Sequence, residues 1–120
     1  MTETFGGCET SETEDTATIR RLNDQLRQSF QGGQIFLTQG IHALPGATAA
    51  RVIRAVRDFD AFGPDNDPYQ THEFGVVEMD GHRVFFKIDC YDKALEYGSP
   101  NPADPEVTTR VLTIYLASEH

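Results

Sequence analysis

The dipeptide Asp80-Gly81 restricts the fold of this 120-residue chain more than any other local feature. Asp-Gly favours a two-residue turn between antiparallel strands, because Gly and Asp tolerate the positive φ angles that such a turn requires. The flanking segments, 73–79 and 82–91, are rich in Val, Ile and Phe, as strands are. We therefore predict an antiparallel hairpin over 73–91.

A two-residue turn also fixes which residues face each other across the hairpin. Counting away from the turn pairs Glu78 with Arg83, and this meeting of opposite charges supports the register. At the far end of the hairpin, the same count places His72 opposite Asp89.

Two further segments have the apolar spacing of amphipathic helices. The first helix is predicted near 16–31, where Gly32-Gly33 ends it, and the second near 46–59, just after Pro45. Their apolar faces are Ile19, Leu22, Leu26 and Phe30 in the first, and Val52, Ile53, Val56 and Phe59 in the second.

The C-terminal segment carries two conflicting signals. Asp104-Pro105-Glu106 is typical of a helix start, which favours a helix near 105–117. The following residues, 108–115, are rich in β-branched side chains and also suit a strand. We predict the helix, because the start signals are specific and the apolar face is continuous.

Short strands are predicted at 34–38 and 95–97. The fold class is therefore α+β: a small antiparallel sheet, built on the hairpin and one or two further strands, with helices packed on it. The length suits a single domain over 15–120, preceded by a flexible acidic tail at 1–14.

Cys8 and Cys90 stand in unrelated contexts, without the spacing of a disulfide framework or a zinc site. The chain has no signal-peptide pattern and no stretch of 18 or more apolar residues. These observations predict a cytoplasmic protein with no cofactor.

Charge is distributed unevenly along the chain, whose net charge is −9. Residues 20–59 hold six basic and two acidic residues, whereas 60–120 hold twelve acidic and four basic residues, a net charge of −8. An acidic surface repels phosphate backbones, so direct nucleic-acid binding is disfavoured and a protein partner with a basic surface is favoured. Solubility alone is the competing explanation of this acidity.

The second predicted helix carries Arg51, Arg54 and Arg57 along one exposed stripe, opposite its apolar face. Such a stripe is ordinary on the solvent side of an amphipathic helix. It is also a candidate contact for a phosphate or an acidic partner.

The hairpin register and the preceding loop suggest one candidate for a catalytic site. His72 and Asp89 are predicted to pair, and Asp65 and Asp67 precede them in the loop, so the four residues are expected to converge. A histidine oriented by a carboxylate can act as a base, and Asp65, Asp67 and His72 are candidate ligands of a divalent ion. The spacing matches no known metal motif, and turns plus a surface His–Asp pair explain the same residues.

Other catalytic motifs are incomplete. Pro64-Asp65 resembles the start of a PD…(D/E)xK nuclease motif, but Phe85 stands two residues before Lys87 where an acid is required. Gly32-Gly33 belongs to no phosphate-binding loop. Acidic neighbours of Cys90 are expected to raise the pKa of its thiol, which disfavours a nucleophile there.

Several short motifs together resemble an uncharacterised family of small bacterial proteins, catalogued as a domain of unknown function. They are Phe59-Asp60-Ala61-Phe62, 64–69, Lys87-Ile88-Asp89 with Tyr91-Asp92, Gly98-Ser99-Pro100, and Asp104-Pro105 through 109–114. Cys90 departs from the aromatic residue expected at its position. The family has no established activity, and the resemblance implies a member of a group that is frequent on plasmids and mobile elements of alphaproteobacteria.

Two functional hypotheses follow. The first is a non-enzymatic acidic binding protein, such as an antirestriction or anti-CRISPR inhibitor that occupies a nucleic-acid-binding surface. Its predicted contacts are Asp65, Asp67, Asp89, Asp92 and Glu96. In a blander reading, the protein is a subunit or stabilising partner in a plasmid-maintenance pathway, with Arg51, Arg54 and Arg57 as the contact stripe. The alternative is a small metal-dependent hydrolase that uses the His/Asp cluster. We favour the first, because catalysis should leave a tighter motif than this sequence contains.

Overall fold

The computed structural model describes residues 14–119, so the predicted tail lies outside the described residues except for Glu14. These residues form three helices, four strands and a final 3₁₀ turn. The elements are α1 (Glu14–Ser29), β1 (Gln34–Leu37), α2 (Gln39–His42), α3 (Gly46–Asp58), β2 (Phe74–Met79), β3 (His82–Tyr91), β4 (Thr109–Leu116) and the turn Ala117–Glu119.

The α+β class is confirmed, but the sheet is mixed rather than antiparallel. Its strand order is β1-β4-β3-β2, and β1 runs parallel to β4 while the other neighbours are antiparallel. The parallel pair is formed because the chain passes through α2, α3 and the hairpin before it returns as β4. A crossover of that length allows parallel pairing, which a tight turn does not.

The hairpin register is confirmed from the turn outward to Phe74, which lies opposite Lys87. The Ile88 N–H still donates to the Glu73 carbonyl at 2.8 Å, as the register requires. At His72 the prediction is wrong, because a φ of 56° takes this residue out of the ladder. His72 therefore does not face Asp89. Its side chain instead lies beside Asp24 of α1.

The predicted C-terminal helix is also wrong, since its residues 109–116 form β4. The helix-start signals belong to a turn in which the Asp104 carboxylate accepts a hydrogen bond from the Glu106 N–H at 2.9 Å. The β-branched segment then pairs with β3 on one side and β1 on the other, and two sets of ladder hydrogen bonds outweigh the local cap.

No strand forms at 95–97. The Asp92 carboxylate accepts hydrogen bonds from the N–H groups of Glu96 and Tyr97, and these contacts close a turn instead. A single bridge between Tyr91 and Gly98 is all that remains of the predicted pairing. The short helix α2 was not predicted, because Gly40 was interpreted as the end of a strand.

One face of the sheet packs against the helices. Leu26 of α1, Ile41 of α2, and Val52 and Val56 of α3 meet a strand layer formed by Val77, Val84, Phe86, Ile88, Leu112 and Ile114. Because side chains alternate between the two faces of a strand, the intervening residues point to the opposite face. Among residues 14–119, no helix has the length and apolar character needed to cross a membrane.

Candidate functional site

Four polar residues on one side of helix α1 bind the loop between α3 and β2, residues 59–73. Arg20, Asn23, Asp24 and Arg27 follow one another at intervals of three, one and three residues, which places them on the same face of a helix. Arg20 donates to the Gln70 carbonyl at 3.0 Å. Arg27 is buried, donates to the Phe59 carbonyl at 3.2 Å and is paired with Asp24.

His72 lies between two carboxylates. Its Nδ1 is 2.9 Å from Asp24 Oδ1, and its Nε2 is 3.7 Å from Asp67 Oδ2. The imidazole stacks on the Phe62 ring, with centroids 3.8 Å apart and planes inclined by 4°. The ring is thus fixed in position and orientation, while a quarter of the side chain stays exposed.

The backbone around His72 is held in an unfavourable conformation. Gln70 and His72 have φ angles of 61° and 56°, a left-handed region that non-glycine residues rarely adopt. The conformation is fixed by the Asp67 carboxylate, which accepts from the His72 N–H at 3.1 Å, and by Asn23, which donates to the Thr71 carbonyl at 2.9 Å. Strain of this kind often accompanies functional sites.

A cavity of about 460 Å³ opens beside the imidazole. It is lined by Arg20, Gln70, Asp67, His72, Phe62 and the turn residues Gly63, Pro64 and Pro68. Its polar groups are therefore one cationic side chain, one carboxylate, one imidazole and one amide. We call it the His72 cavity.

A buried polar network supports this loop from behind. Asn23 is 1% exposed, and its Oδ1 accepts from Arg110 Nε at 2.9 Å. Arg110 also donates to the Pro102 carbonyl. Burial lowers the pKa of Arg110 below its ordinary value, because removal from water disfavours the charged form.

The predicted four-residue cluster is only half assembled. Asp67 and His72 come together, but Asp65 is exposed on its loop and does not line the His72 cavity. Asp89 lies on the sheet, 3.4 Å from Lys87 Nζ. Within 14–119, no group of three or more His, Cys, Asp or Glu side chains has the arrangement of a metal site.

The second candidate surface is the sheet face that points away from the helices. We call it the uncovered sheet face, and it includes Phe36 on β1, Phe74 and Val76 on β2, Phe85, Lys87, Asp89 and Tyr91 on β3, and Val111, Thr113 and Tyr115 on β4. The rings of Phe74, Phe85 and Tyr115 form a row, with neighbouring centroids 5.6 and 5.5 Å apart; Phe74 and Phe85 are half-buried and Tyr115 is 9% exposed. Phe36 is 66% exposed and Leu95, in the neighbouring loop, is 49% exposed.

A groove of about 400 Å³ runs along this face, with Phe36, Asp89, Tyr91 and Leu95 among its lining residues. Asp92 and Glu96 follow Tyr91 in the loop that contains Leu95, but they are not among the lining residues of the groove. Glu96 is exposed, whereas Asp92 is half-buried because its carboxylate closes the turn.

The predicted arginine stripe is exposed on α3 but engaged within the protein. Arg51 donates to Asp80, and this hydrogen bond lowers the pKa of the Asp80 carboxyl below its usual range. Arg54 lies 3.9 Å from Asp58. Arg57 donates to the Gln28 carbonyl at 2.9 Å and lies over the Phe30 ring.

Cys90 is half-buried, and burial raises the pKa of its thiol. The direction agrees with the sequence prediction, although burial rather than the neighbouring acids is the main cause. Sequence reasoning missed Arg20 and Asp24, because neither stands in a motif with His72. The one available signal was that both lie on the polar side of the first predicted helix.

Residues 37–119 match the model of a family described as "Protein of unknown function (DUF3768)". The matched segment includes Asp67, His72, Asp92 and Glu96, but it begins after α1 and after Phe36. Neither curated proteins nor solved structures give a significant match.

Proposed function

The chain belongs to the family of proteins of unknown function DUF3768, and we propose that it is a binding protein that docks on a basic protein surface. The observation that carries this proposal is the uncovered sheet face, with exposed apolar groups next to an acidic margin. Single exposed apolar residues are ordinary, whereas a contiguous apolar patch with a polar rim is typical of an interaction site.

The composition of the face suits a protein interface. Interface centres are enriched in aromatic side chains, and their rims are polar. The row of Phe74, Phe85 and Tyr115 supplies a rigid aromatic floor, and the exposed ring of Phe36 stands at its β1 edge. Phe36 is the best candidate for an anchor residue, because most of its surface is free to enter a partner's pocket.

The acidic residues decide the charge of the partner. Asp89 lines the groove beside Lys87, and Asp92 and Glu96 lie in the loop that contains Leu95, another lining residue. All three acids belong to the segment 60–120, whose net charge is −8. Asp67 is 6% exposed and bound to His72, so it is not part of the proposed contact. Complementary charge at a rim accelerates association and makes it sensitive to salt.

The finer proposal is that the partner is a nucleic-acid-handling complex, of the restriction or CRISPR type, and that the protein inhibits it. Support comes from the acidity of the chain, since the nucleic-acid-binding surfaces of such complexes are basic. Carriage on mobile elements, which the sequence resemblance implies, would give an inhibitor its biological setting.

The test is affinity capture from a host lysate at low and high salt, followed by mass spectrometry. The baits are the wild type, Phe36→Ser, and the triple variant Asp89→Asn, Asp92→Asn, Glu96→Gln. The matched control is Tyr69→Ser, which removes an aromatic ring that is 74% exposed but lies in the loop before β2.

We expect a nucleic-acid-handling complex to be retained by the wild type and by Tyr69→Ser, to be released by salt, and to be lost with the other two baits. Equal recovery with Phe36→Ser and the wild type would refute the proposed face. Recovery that salt does not change would refute the acidic contact.

The alternative, a metal-dependent hydrolase, has less support. It requires Asp65, Asp67, His72 and Asp89 to converge, and Asp89 lies on the sheet beside Lys87. Within the described part of the chain, the side chains that remain near His72 do not form a metal site.

A further inference from the structure

We propose that the His72 cavity is a metal-independent hydrolytic site in which His72 activates a water molecule to attack a small carboxylic ester. The proposal is independent of the binding function, because the cavity is built from α1 and the loop before β2 rather than from the uncovered sheet face.

The first observation is the orientation of the imidazole. A carboxylate only accepts hydrogen bonds, so the 2.9 Å contact between Asp24 Oδ1 and His72 Nδ1 places the proton on Nδ1. In the neutral ring, Nε2 is then the atom with a free lone pair. Stacking on Phe62 prevents the ring from turning away, so Nε2 is presented as a base.

The second observation is the gap between His72 and Asp67. The distance of 3.7 Å from Nε2 to Oδ2 exceeds a direct hydrogen bond and suits a bridging water. Such a water donates one proton toward Nε2 and the other toward the Asp67 carboxylate. Its oxygen lone pair is then directed into the cavity.

The third observation is the chemistry of the cavity wall. The eight lining residues include no hydroxyl or thiol, so water is the nucleophile that the wall allows. Arg20 supplies positive charge beside a developing oxyanion, because it lines the same cavity and its guanidinium donates to the carbonyl of Gln70, another lining residue.

These groups account for a complete reaction. His72 Nε2 takes a proton from the water as its oxygen bonds to the ester carbonyl carbon, and the carbonyl oxygen becomes an oxyanion beside Arg20. The tetrahedral intermediate then breaks the bond to the alkoxy group. The leaving oxygen takes the proton from His72, so the products are a carboxylic acid and an alcohol, and the imidazole is neutral again.

The substrate class follows from size and charge. A cavity of about 460 Å³ is in the range of small-molecule sites. Two carboxylates beside the imidazole disfavour an anionic substrate, and the aromatic and proline walls favour an apolar group. A small uncharged ester fits both conditions.

The test uses the full-length protein and p-nitrophenyl acetate, with release of p-nitrophenol as the signal. The decisive variant is His72→Gly, because glycine adopts the φ of 56° without strain and leaves a space for added imidazole. The control is His42→Gln, which removes an exposed histidine of α2. Thermal unfolding of each variant measures whether the fold is retained.

We expect His72→Gly to lower kcat/KM by about a hundredfold, the usual contribution of a general base, and added imidazole to restore part of the rate. His42→Gln should leave the rate unchanged. A wild-type rate no higher than that of an equal concentration of free imidazole overturns the proposal, as does a folded His72→Gly variant with the wild-type rate.

Asp24 is a positioning residue, since it acts through His72. We expect Asp24→Asn to lower kcat by about tenfold or more with little change in KM, because the amide no longer holds the proton on Nδ1. The nitrogen NMR spectrum of the His72 ring reports directly which atom carries the proton. An unchanged tautomer in a folded Asp24→Asn variant contradicts the assigned role.

Discussion

Replacement of Asn23 by alanine tests how the loop that carries His72 is held against α1. Asn23 is 1% exposed and makes two hydrogen bonds with residues distant in sequence. Its Nδ2 donates to the Thr71 carbonyl at 2.9 Å, and its Oδ1 accepts from Arg110 Nε at 2.9 Å. Alanine lacks the side-chain amide that makes both hydrogen bonds, so the buried Thr71 carbonyl and the buried Arg110 Nε–H lose their partner.

The magnitude follows from these two groups. A buried acceptor without a partner costs about 1–3 kcal/mol, and a hydrogen bond to a charged donor contributes about 1.5–3 kcal/mol. Alanine regains about 0.5 kcal/mol through its higher helix propensity. We therefore expect Asn23→Ala to lower the free energy of unfolding by about 2–5 kcal/mol, a large part of the total for a domain of this size.

The assay is urea unfolding followed by circular dichroism, with Gln25→Ala as the control. Gln25 is exposed on the same helix, so its replacement should change the free energy of unfolding by less than about 0.5 kcal/mol. A double-mutant cycle with Arg110→Met isolates the pair, and we expect a coupling energy of about 1 kcal/mol or more. A loss for Asn23→Ala no larger than for Gln25→Ala would refute the role assigned to the network.

Three further predictions concern other parts of the fold. Gly75→Ala should lower the free energy of unfolding by about 1–3 kcal/mol, since a Cβ there would lie 2.9 Å from the Phe59 ring and closer still to the Phe86 ring. Gly98→Ala is the control, because a Cβ there meets open space and should leave the free energy of unfolding nearly unchanged. Chemical unfolding measures both. The hydroxyl of Thr38 holds the pKa of Glu119 below its ordinary value, so the stabilising effect of Glu119 is present at neutral pH and is lost as pH falls through its folded-state pKa. The difference in melting temperature between the wild type and Glu119→Gln should therefore shrink in acid, and a difference independent of pH would contradict this. In a Cys8→Ser background, iodoacetamide should modify Cys90 slowly until urea unfolds the protein, because burial raises the pKa of its thiol; fast labelling of the native protein would be the contrary result.

The parts of the fold predicted correctly are those that local chemistry determines. The Asp80-Gly81 turn fixed the hairpin register as far as Phe74, and apolar spacing located α1 and α3 to within two residues at each end. Each of these signals acts between residues close in sequence.

The errors occur where distant residues decide the conformation. Residues 109–116 form a strand because β1 and β3 lie on either side of them, and no local pattern identifies those neighbours. The partner of His72 was misassigned for the same reason. Asp24 is separated from it by 48 residues, and the left-handed backbone at His72 interrupts the ladder that would have placed it opposite Asp89.

The two proposals concern opposite faces of one sheet, and this separation allows them to be tested independently. Phe62, which lines the His72 cavity, packs against Phe86 on the helix side, whereas Phe36 points to the uncovered face. Changes at sites without shared contacts are usually additive. We therefore expect Phe36→Ser to abolish partner binding without altering ester hydrolysis, and His72→Gly to do the reverse.

The double variant sharpens this expectation. Combining Phe36→Ser with His72→Gly should lower the free energy of unfolding by the sum of the single losses, within about 0.5 kcal/mol. Loss of both activities in either single variant, while the fold is retained, would mean that the cavity and the uncovered face belong to one functional surface. In that case the ester that His72 hydrolyses would belong to the bound partner rather than to a free small molecule.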